Sequence, residues 1–285
     1  MTSRWLVNLL LLMTMVALGL VALYEPGIDK PAEAQAITAL TAGQVERIHI
    51  NRPLRDDLIL VKHAQGDWWI DRATPLPADD FKVRALTGLV EQKPLRSYPA
   101  TELQLADLQL DPPYAAAIFN DIAIEFGNLE PIDDLRYVRV NDRVHLIPDN
   151  YLQLMETSFT QFVRNRLFDA KSRVTAVQLP GLLVRETDND WATEPPQQLS
   201  ADILQQFLSI WQEAQAIAVQ AGNPELDGEP VDISLAGAAQ PVRFLIIARE
   251  PELILARPDY GIQYRMGNRA EALLTLDAAE SDSKD

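Results

Sequence analysis

Two stretches decide the fold: residues 58–92, LILVKHAQGDWWIDRATPLPADDFKVRALTGLVEQ, and residues 182–216, LLVRETDNDWATEPPQQLSADILQQFLSIWQEAQA. Each opens on a short apolar run, Leu58–Lys62 or Leu182–Arg185, then turns at Gln65-Gly66 or Asp188-Asn189 into Asp-Trp. Apolar runs split by a short polar turn read as a β-hairpin. A proline turn follows, then a helical period. In the first copy the helix is expected from about Ala78 to Gln92, with Val83, Leu86, Leu89 and Val90 on one face and Asp79 as N-cap. In the second it is expected from about Ala201 to Ala216, with Leu204, Phe207, Leu208 and Trp211 inward and Ser200 or Asp202 near the cap. Trp68 and Trp191 lie 123 residues apart, and Val83 and Leu204 lie 121 apart. A near-constant offset across hairpin, tryptophan and capped helix marks an internal repeat.

Working outward, each hairpin is preceded by an alternating segment, Val45–Ile50 or Val174–Leu179, which suits a half-buried strand. More strands follow each helix. In the first half these are Ala115–Phe126 and Arg136–Ile147, the latter turning at Asn141-Asp142. In the second half they are Val231–Leu235, Val242–Ala248, Leu253–Ala256 and Ile262–Met266. A helix from Tyr151 to Phe168 is expected to join the halves, on the stripe Leu152, Met155, Phe159, Phe162, Val163 and Leu167. The fold class is therefore α+β: two similar lobes of antiparallel β-sheet, each with a covering helix. Lobe one spans 37–170 and lobe two 171–276, with a disordered acidic tail over 277–285.

Before the lobes, Trp5–Tyr24 reads WLVNLLLLMTMVALGLVALY without a charge. Twenty helical residues reach about 30 Å, the thickness of a hydrocarbon core. Trp5 and Tyr24 stand at its ends, where amphipathic aromatics prefer the interface. Arg4 precedes the span, and Glu25 and Asp29 follow it. That bias places the N-terminus in the cytoplasm and the soluble part beyond the inner membrane, in the periplasm, as a single-pass protein. Ala17-Leu18-Gly19 also has the small-x-small form of a signal cleavage site, so a cleaved leader is the competing reading. Residues 25–36, with two prolines and no apolar period, read as a linker.

The formal charge is −16, and Arg4 is the only charged residue before Glu25. A domain this acidic is not expected to bind nucleic acid or anionic lipid by general electrostatics. There is no cysteine, which excludes disulfides, thiolate metal sites and thiol catalysis.

Few residues carry a recognisable chemical signature. His49, His63 and His145 lie in strand candidates without metal-ligand spacing, so no metal is expected. Neither a phosphate-binding loop nor a nucleophile elbow occurs, and no cofactor is expected. The carboxylate pairs Asp79-Asp80, Asp133-Asp134 and Asp188/Asp190 fit caps and turns better than a hydrolase pair. Trp68 and Trp191 occupy matching places and read as core. Trp69, one residue on, faces the other side of its strand. Arg164, Arg166, Lys171 and Arg173 form the one basic cluster, at the junction of the halves. Trp69 and these four cations are the candidate contacts for a partner or ligand.

Several short motifs recur in a fixed order: Gly66-Asp67-Trp68, Ala78-Asp79, Leu110-Asp111-Pro112-Pro113, Glu125-Phe126-Gly127, Tyr137-Val138-Arg139-Val140 and Arg164-Asn165-Arg166-Leu167-Phe168-Asp169. In this order the chain resembles domain-of-unknown-function family 4340 over roughly residues 40–180, and more weakly to about 275. The resemblance implies a bacterial envelope protein with an N-terminal anchor, in some cases associated with ABC-type export systems, and no established activity or catalytic residues. The expected function is thus a membrane-anchored extracytoplasmic interaction or accessory protein, not an enzyme, with an envelope protein as partner. A glycan-binding module is the alternative, and a carboxylate hydrolase comes third.

Overall fold

A computed structural model describes residues 3–24, 35–52, 55–187, 190–223, 225, 227–267 and 270–276. The expected tail, most of the expected linker and the Asp188-Asn189 turn lie outside the described residues. Helix α1 (Ser3–Tyr24) comes first, with side chains described from Trp5 to Gly19. Among the described residues no helix is long and apolar enough to cross a membrane.

Lobe one contains β1 (Arg47–Asn51), β2 (Leu58–Lys62), β3 (Trp68–Ile70), β4 (Leu76–Pro77), helix α2 (Asp80–Thr87), β5 (Arg96–Pro99), β6 (Ala115–Phe119), β7 (Ile122–Leu129), β8 (Leu135–Val140) and β9 (Arg143–Pro148). A short helix α3 (Leu152–Glu156) leads out of it. Lobe two contains β10 (Val174–Leu179), β11 (Leu182–Glu186), β12 (Trp191–Glu194), helix α4 (Ala201–Gln212), β13 (Ala216–Ala221), β14 (Glu229–Leu235), β15 (Val242–Ala248), β16 (Ile254–Arg257) and β17 (Ile262–Met266). The first sheet runs β4-β3-β2-β1-β6-β7-β8-β9-β5, and the second runs β12-β11-β10-β14-β15-β16-β17-β13. With β4 set aside, the two orders coincide strand for strand. Two antiparallel sheets with few helices make an α+β fold of two lobes.

Local chemistry accounts for these elements. The Asp79 side chain accepts hydrogen bonds from the Phe81 and Lys82 backbone N–H groups, so it is the N-cap of α2. The Ser200 hydroxyl accepts from the Ile203 N–H and caps α4. Both helices are shorter than their apolar period suggests. The first continues as a 3₁₀ turn over Gly88–Glu91, and the second gives way to β13. Ala115–Phe126 is two strands rather than one. Asn120 turns the chain at φ 53°, and its side-chain oxygen accepts from the Glu46 and Arg47 N–H groups. Gly127 is required because the Leu108 carbonyl oxygen lies where a Cβ would stand. That explains the Phe126-Gly127 pair.

The strands β5 and β13 are absent from the sequence reading. Both are sheet edges, and β5 carries Pro99, which suits only an edge position. The largest correction is the joining helix. Helix α3 stops at Glu156, because Thr157 turns extended (φ −67°, ψ 161°) and its hydroxyl donates to the Leu154 carbonyl. A 3₁₀ turn over Phe159–Phe162, capped by Ser158, follows. The chain then continues without helix, as two isolated bridge residues, Val163 and Arg166, separated by a bend at Asn165. The apolar residues expected to form one helical stripe are divided between two cores.

Those cores are continuous. Trp68, Leu60, Ile48, Phe119 and Phe126 in lobe one and Val177, Phe207, Trp211, Phe244 and Tyr264 in lobe two belong to one buried cluster, with Phe162, Val163 and Leu167 between them. In lobe two the Phe168 and Phe244 rings meet edge to face at 5.8 Å. The Trp211 Nε1–H donates to the Leu273 carbonyl at 3.0 Å.

Candidate functional site

The segment 162–167 is a strap bonded to both sheets. On one side the Asp79 N–H donates to the Phe162 carbonyl at 2.7 Å, and the Arg164 N–H donates to the Pro77 carbonyl at 2.9 Å. On the other, the Leu167 N–H donates to the Ala214 carbonyl at 3.1 Å, and the Ala216 N–H donates to the Asn165 carbonyl at 2.9 Å. Ala78 bridges Val163 and Arg166 bridges Gln215, both antiparallel. The free edge of β4 and the start of β13 are therefore sealed by the same few residues.

Extended chain alternates its side chains, and directly opposed residues share a face. Ala78, Val163 and Leu167 are buried. The opposed pair Pro77 and Arg164 consequently lies on the other face, and Arg166, beyond a bend at Asn165, is exposed. Trp69 is in register with Pro77, so Trp69, Pro77 and Arg164 form a row across three adjacent strands. At about 4.8 Å per strand, Trp69 and Arg164 have Cα atoms roughly 10 Å apart. Arg166 bridges the exposed Gln215, and Ile217, 62 % exposed, follows in the bulge that opens β13. Across β2 the row extends to Val61, the register partner of Trp69.

Of the five expected contacts, three are thus brought together: Trp69, Arg164 and Arg166. The Arg164 guanidinium lies 3.2 Å from the Asp169 carboxylate and is 19 % exposed. A hydrogen bond from the Lys171 backbone N–H, then the Arg164 charge, holds Asp169 below the ordinary carboxylate range. Arg166 and Lys171 are exposed, and among the described residues neither has an ion-pair partner. Lys171 stands in the turn beyond the strap. Arg173 pairs with Glu186 beside β11 and takes no part in the row. Pro77, Gln215 and Ile217 are missing from the sequence reading. Pro77 stood there as a turn residue, while Gln215 and Ile217 lay at or beyond the end of an expected helix. Nothing local in the sequence signals the strap.

Trp69 is half-buried and stacks on the His63 ring, with centroids 5.1 Å apart and planes 14° apart. A shallow hollow beside them is lined by Lys62, His63, Gln65, Asp67 and Trp69. A second hollow, of about 150 Å³, lies in lobe two beside Ile217 and Arg249.

One member of each carboxylate pair is engaged structurally, while an oxygen of Asp80 is buried without a hydrogen-bond partner. Asp79 caps α2, Asp133 pairs with Arg96 at 2.7 Å, and the Asp190 side chain accepts from the Trp191 N–H. Asp188 lies outside the described residues. His145 is buried on the core side, 2.7 Å from the Ser97 hydroxyl. Burial, then the Arg143 charge, lowers its pKa. His49 contacts Asp57 at 2.7 Å on the outer side of lobe one. Among the described residues no three His, Asp or Glu side chains converge as metal ligands.

The family model "Domain of unknown function (DUF4340)" matches residues 68–225, more than half of the chain. The chain belongs to the DUF4340 family. The match opens at Trp68 on β3 and closes beyond β13, so the DUF4340 stretch contains the whole strap and the row from Trp69 to Ile217. No curated protein and no solved structure matches the chain.

Proposed function

We propose that this DUF4340 protein is a non-enzymatic interaction protein, tethered to the membrane by α1 and working outside the cytoplasm as an accessory to an envelope export or assembly complex. The observation that carries the reading is the bare apolar surface of α1. Trp5, Leu10, Met13, Met15 and Leu18 are each 64–72 % exposed, and no described α1 side chain enters the buried cluster. A helix apolar all round is stable against lipid or protein and not against water. The sequence stays apolar from Leu20 to Tyr24, which brings the run to the length of a hydrocarbon core. The filled seam supports binding at a surface over enclosure of a small ligand, since the strap occupies the junction where a cleft would open. The His63 ring on Trp69 also supports a protein partner over a sugar, because it covers one of the two faces a sugar would stack on.

The test is extraction. Full-length chain should stay with membranes through an alkaline carbonate wash, and a chain lacking residues 1–24 should be released. In spheroplasts, added protease should reach the lobes. Carbonate release of the full-length chain, or protection of the lobes in spheroplasts, would overturn the proposal.

A further inference from the structure

We infer that the outward row at the seam docks an acidic protein segment in which apolar side chains accompany the carboxylates. This rests on the reading of the protein as an interaction module and names the chemistry of its partner. Three observations carry it. First, Val61, Trp69 and Pro77 are adjacent in register, half-buried and outward, and so form a short apolar track. Second, the track leads through Pro77 to Arg164, which is paired with Asp169, and then to the exposed guanidinium-bearing Arg166 on the strap. Guanidinium presents a planar fork that fits a carboxylate with two parallel bonds. Third, the charges are unusual for this chain. Its formal charge is −16, yet Arg166 and Lys171 stand exposed without an ion-pair partner among the described residues.

A partner carrying carboxylates meets attraction at the strap and repulsion over most of the remaining surface. That combination fixes both place and register. Apolar side chains two residues apart on the docked segment reach Trp69 and Pro77, while acidic ones reach the arginines. The backbone edges on both sides of the strap are already bonded. The segment therefore lies across the face and does not add a strand.

The experiment uses the full chain in lipid nanodiscs, panned against a phage-displayed library of random 12-residue peptides, with empty nanodiscs as control. The recovered peptides should be rich in Asp and Glu with interspersed Leu, Ile or Phe. Their affinity should fall at least tenfold in Arg166→Gln and in Trp69→Ala, and should weaken as salt is raised from 50 to 500 mM. Arg166 is exposed, so its variant should keep the parent melting temperature and remains informative if Trp69→Ala does not fold. Recovery of no peptide above the control would overturn the inference, as would peptides without acidic enrichment or peptides that bind Arg166→Gln as tightly as the parent. Labelled polygalacturonate forms a second arm. Arginine-dependent binding of this polymer without recovery of peptides would assign the face to an anionic glycan and equally overturn the inference. Peptide binding is read whether or not α1 inserts, so this outcome and that of the extraction experiment are separable.

Discussion

With β4 set aside the two sheets share one strand order, but around their hairpins the outer faces differ. On lobe one, Ile59, Val61, Trp69 and Ile118 look outward and are half-buried. On lobe two, the pair in register at the place of Val61 and Trp69 is Arg185 and Ala192. Around them the surface is laced with cross-strand ion pairs: Arg185 with Glu194 at 3.0 Å, Arg243 with Asp232 and Arg265 with Glu252 at 2.7 Å each. The inward residues match in kind, Trp68 with Trp191 and Ile48 with Val177. Burial holds the core side of both sheets to one pattern. The outer side is free to differ, so a difference there is where two lobes of one fold can differ in task. The apolar track belongs to lobe one, and lobe two contributes mainly soluble surface beside it.

The largest effect should come from a place where the matching cores differ strongly in bulk. By the helix offset, Val90 of lobe one corresponds to Trp211 of lobe two, and both are fully buried. Trp211→Ala should cost about 3–5 kcal/mol, because it opens a large cavity and leaves the Leu273 carbonyl without its donor. Val90→Ala should cost only about 2 kcal/mol. Denaturant unfolding checks both. Since the buried cluster is continuous, each variant should shift a single transition; two separated transitions would show that the lobes unfold independently.

A second effect, moderate in size, comes from another matched pair, His145 on β9 and Tyr264 on β17. Both are buried groups that burial holds in their neutral form. The His145 pKa is lowered, so as pH falls below about 6.5 the unfolded chain takes a proton that the folded one refuses. Stability from this group is present above that pH and is lost on acidification. Burial pushes the Tyr264 hydroxyl up to about 12. An unfolded tyrosine ionises near about 10, so stability is lost as pH rises from there toward that value. His145→Gln should reduce the first part of the acid limb of a stability profile without abolishing it, because Asp169 and Asp232 are held below the ordinary carboxylate range. Tyr264→Phe should reduce the alkaline limb without abolishing it, because burial also raises Tyr137 and Tyr151 in lobe one. If the two substitutions exchanged limbs, the structural match of the lobes would not extend to their electrostatics.

The smallest effect concerns the ion pairs of lobe two. Arg185 and Glu194 are 50 % and 61 % exposed. Arg185→Ala should change stability by at most about 1 kcal/mol, and less in high salt. A larger loss would mean that this face is doing more than keeping lobe two soluble.

Much of this was legible in the chain, for reasons particular residues make clear. Asp79 and Ser200 announce their helices because a cap is a local interaction between residues two or three apart. Trp68 and Trp191 announce the repeat because burial demands the same bulk at the same place. The strap was illegible because its conformation is imposed from outside. Val163 and Leu167 are spaced for a helix, and the backbone partners that hold this segment out of one, Pro77, Asp79, Ala214 and Ala216, are remote in sequence. Strands β5 and β13 were hidden for a related reason, since edge strands need no clean alternation. The candidate row was half legible. Adjacent tryptophans must point opposite ways on a strand, which singled out Trp69. That Arg164 would share its face followed only from a pairing no local pattern encodes.

The strap also has a consequence in time. During synthesis β4 emerges long before residues 162–164, and β13 emerges after them. Until the strap arrives, lobe one carries an unfinished edge that could pair with any extended chain nearby. Completion of lobe one thus waits on a segment outside its own repeat, and the second repeat is laid against an edge already bonded. The order of the genetic message, with the strap midway, makes the seam the step at which a nascent chain commits to pairing with itself and not with its neighbours.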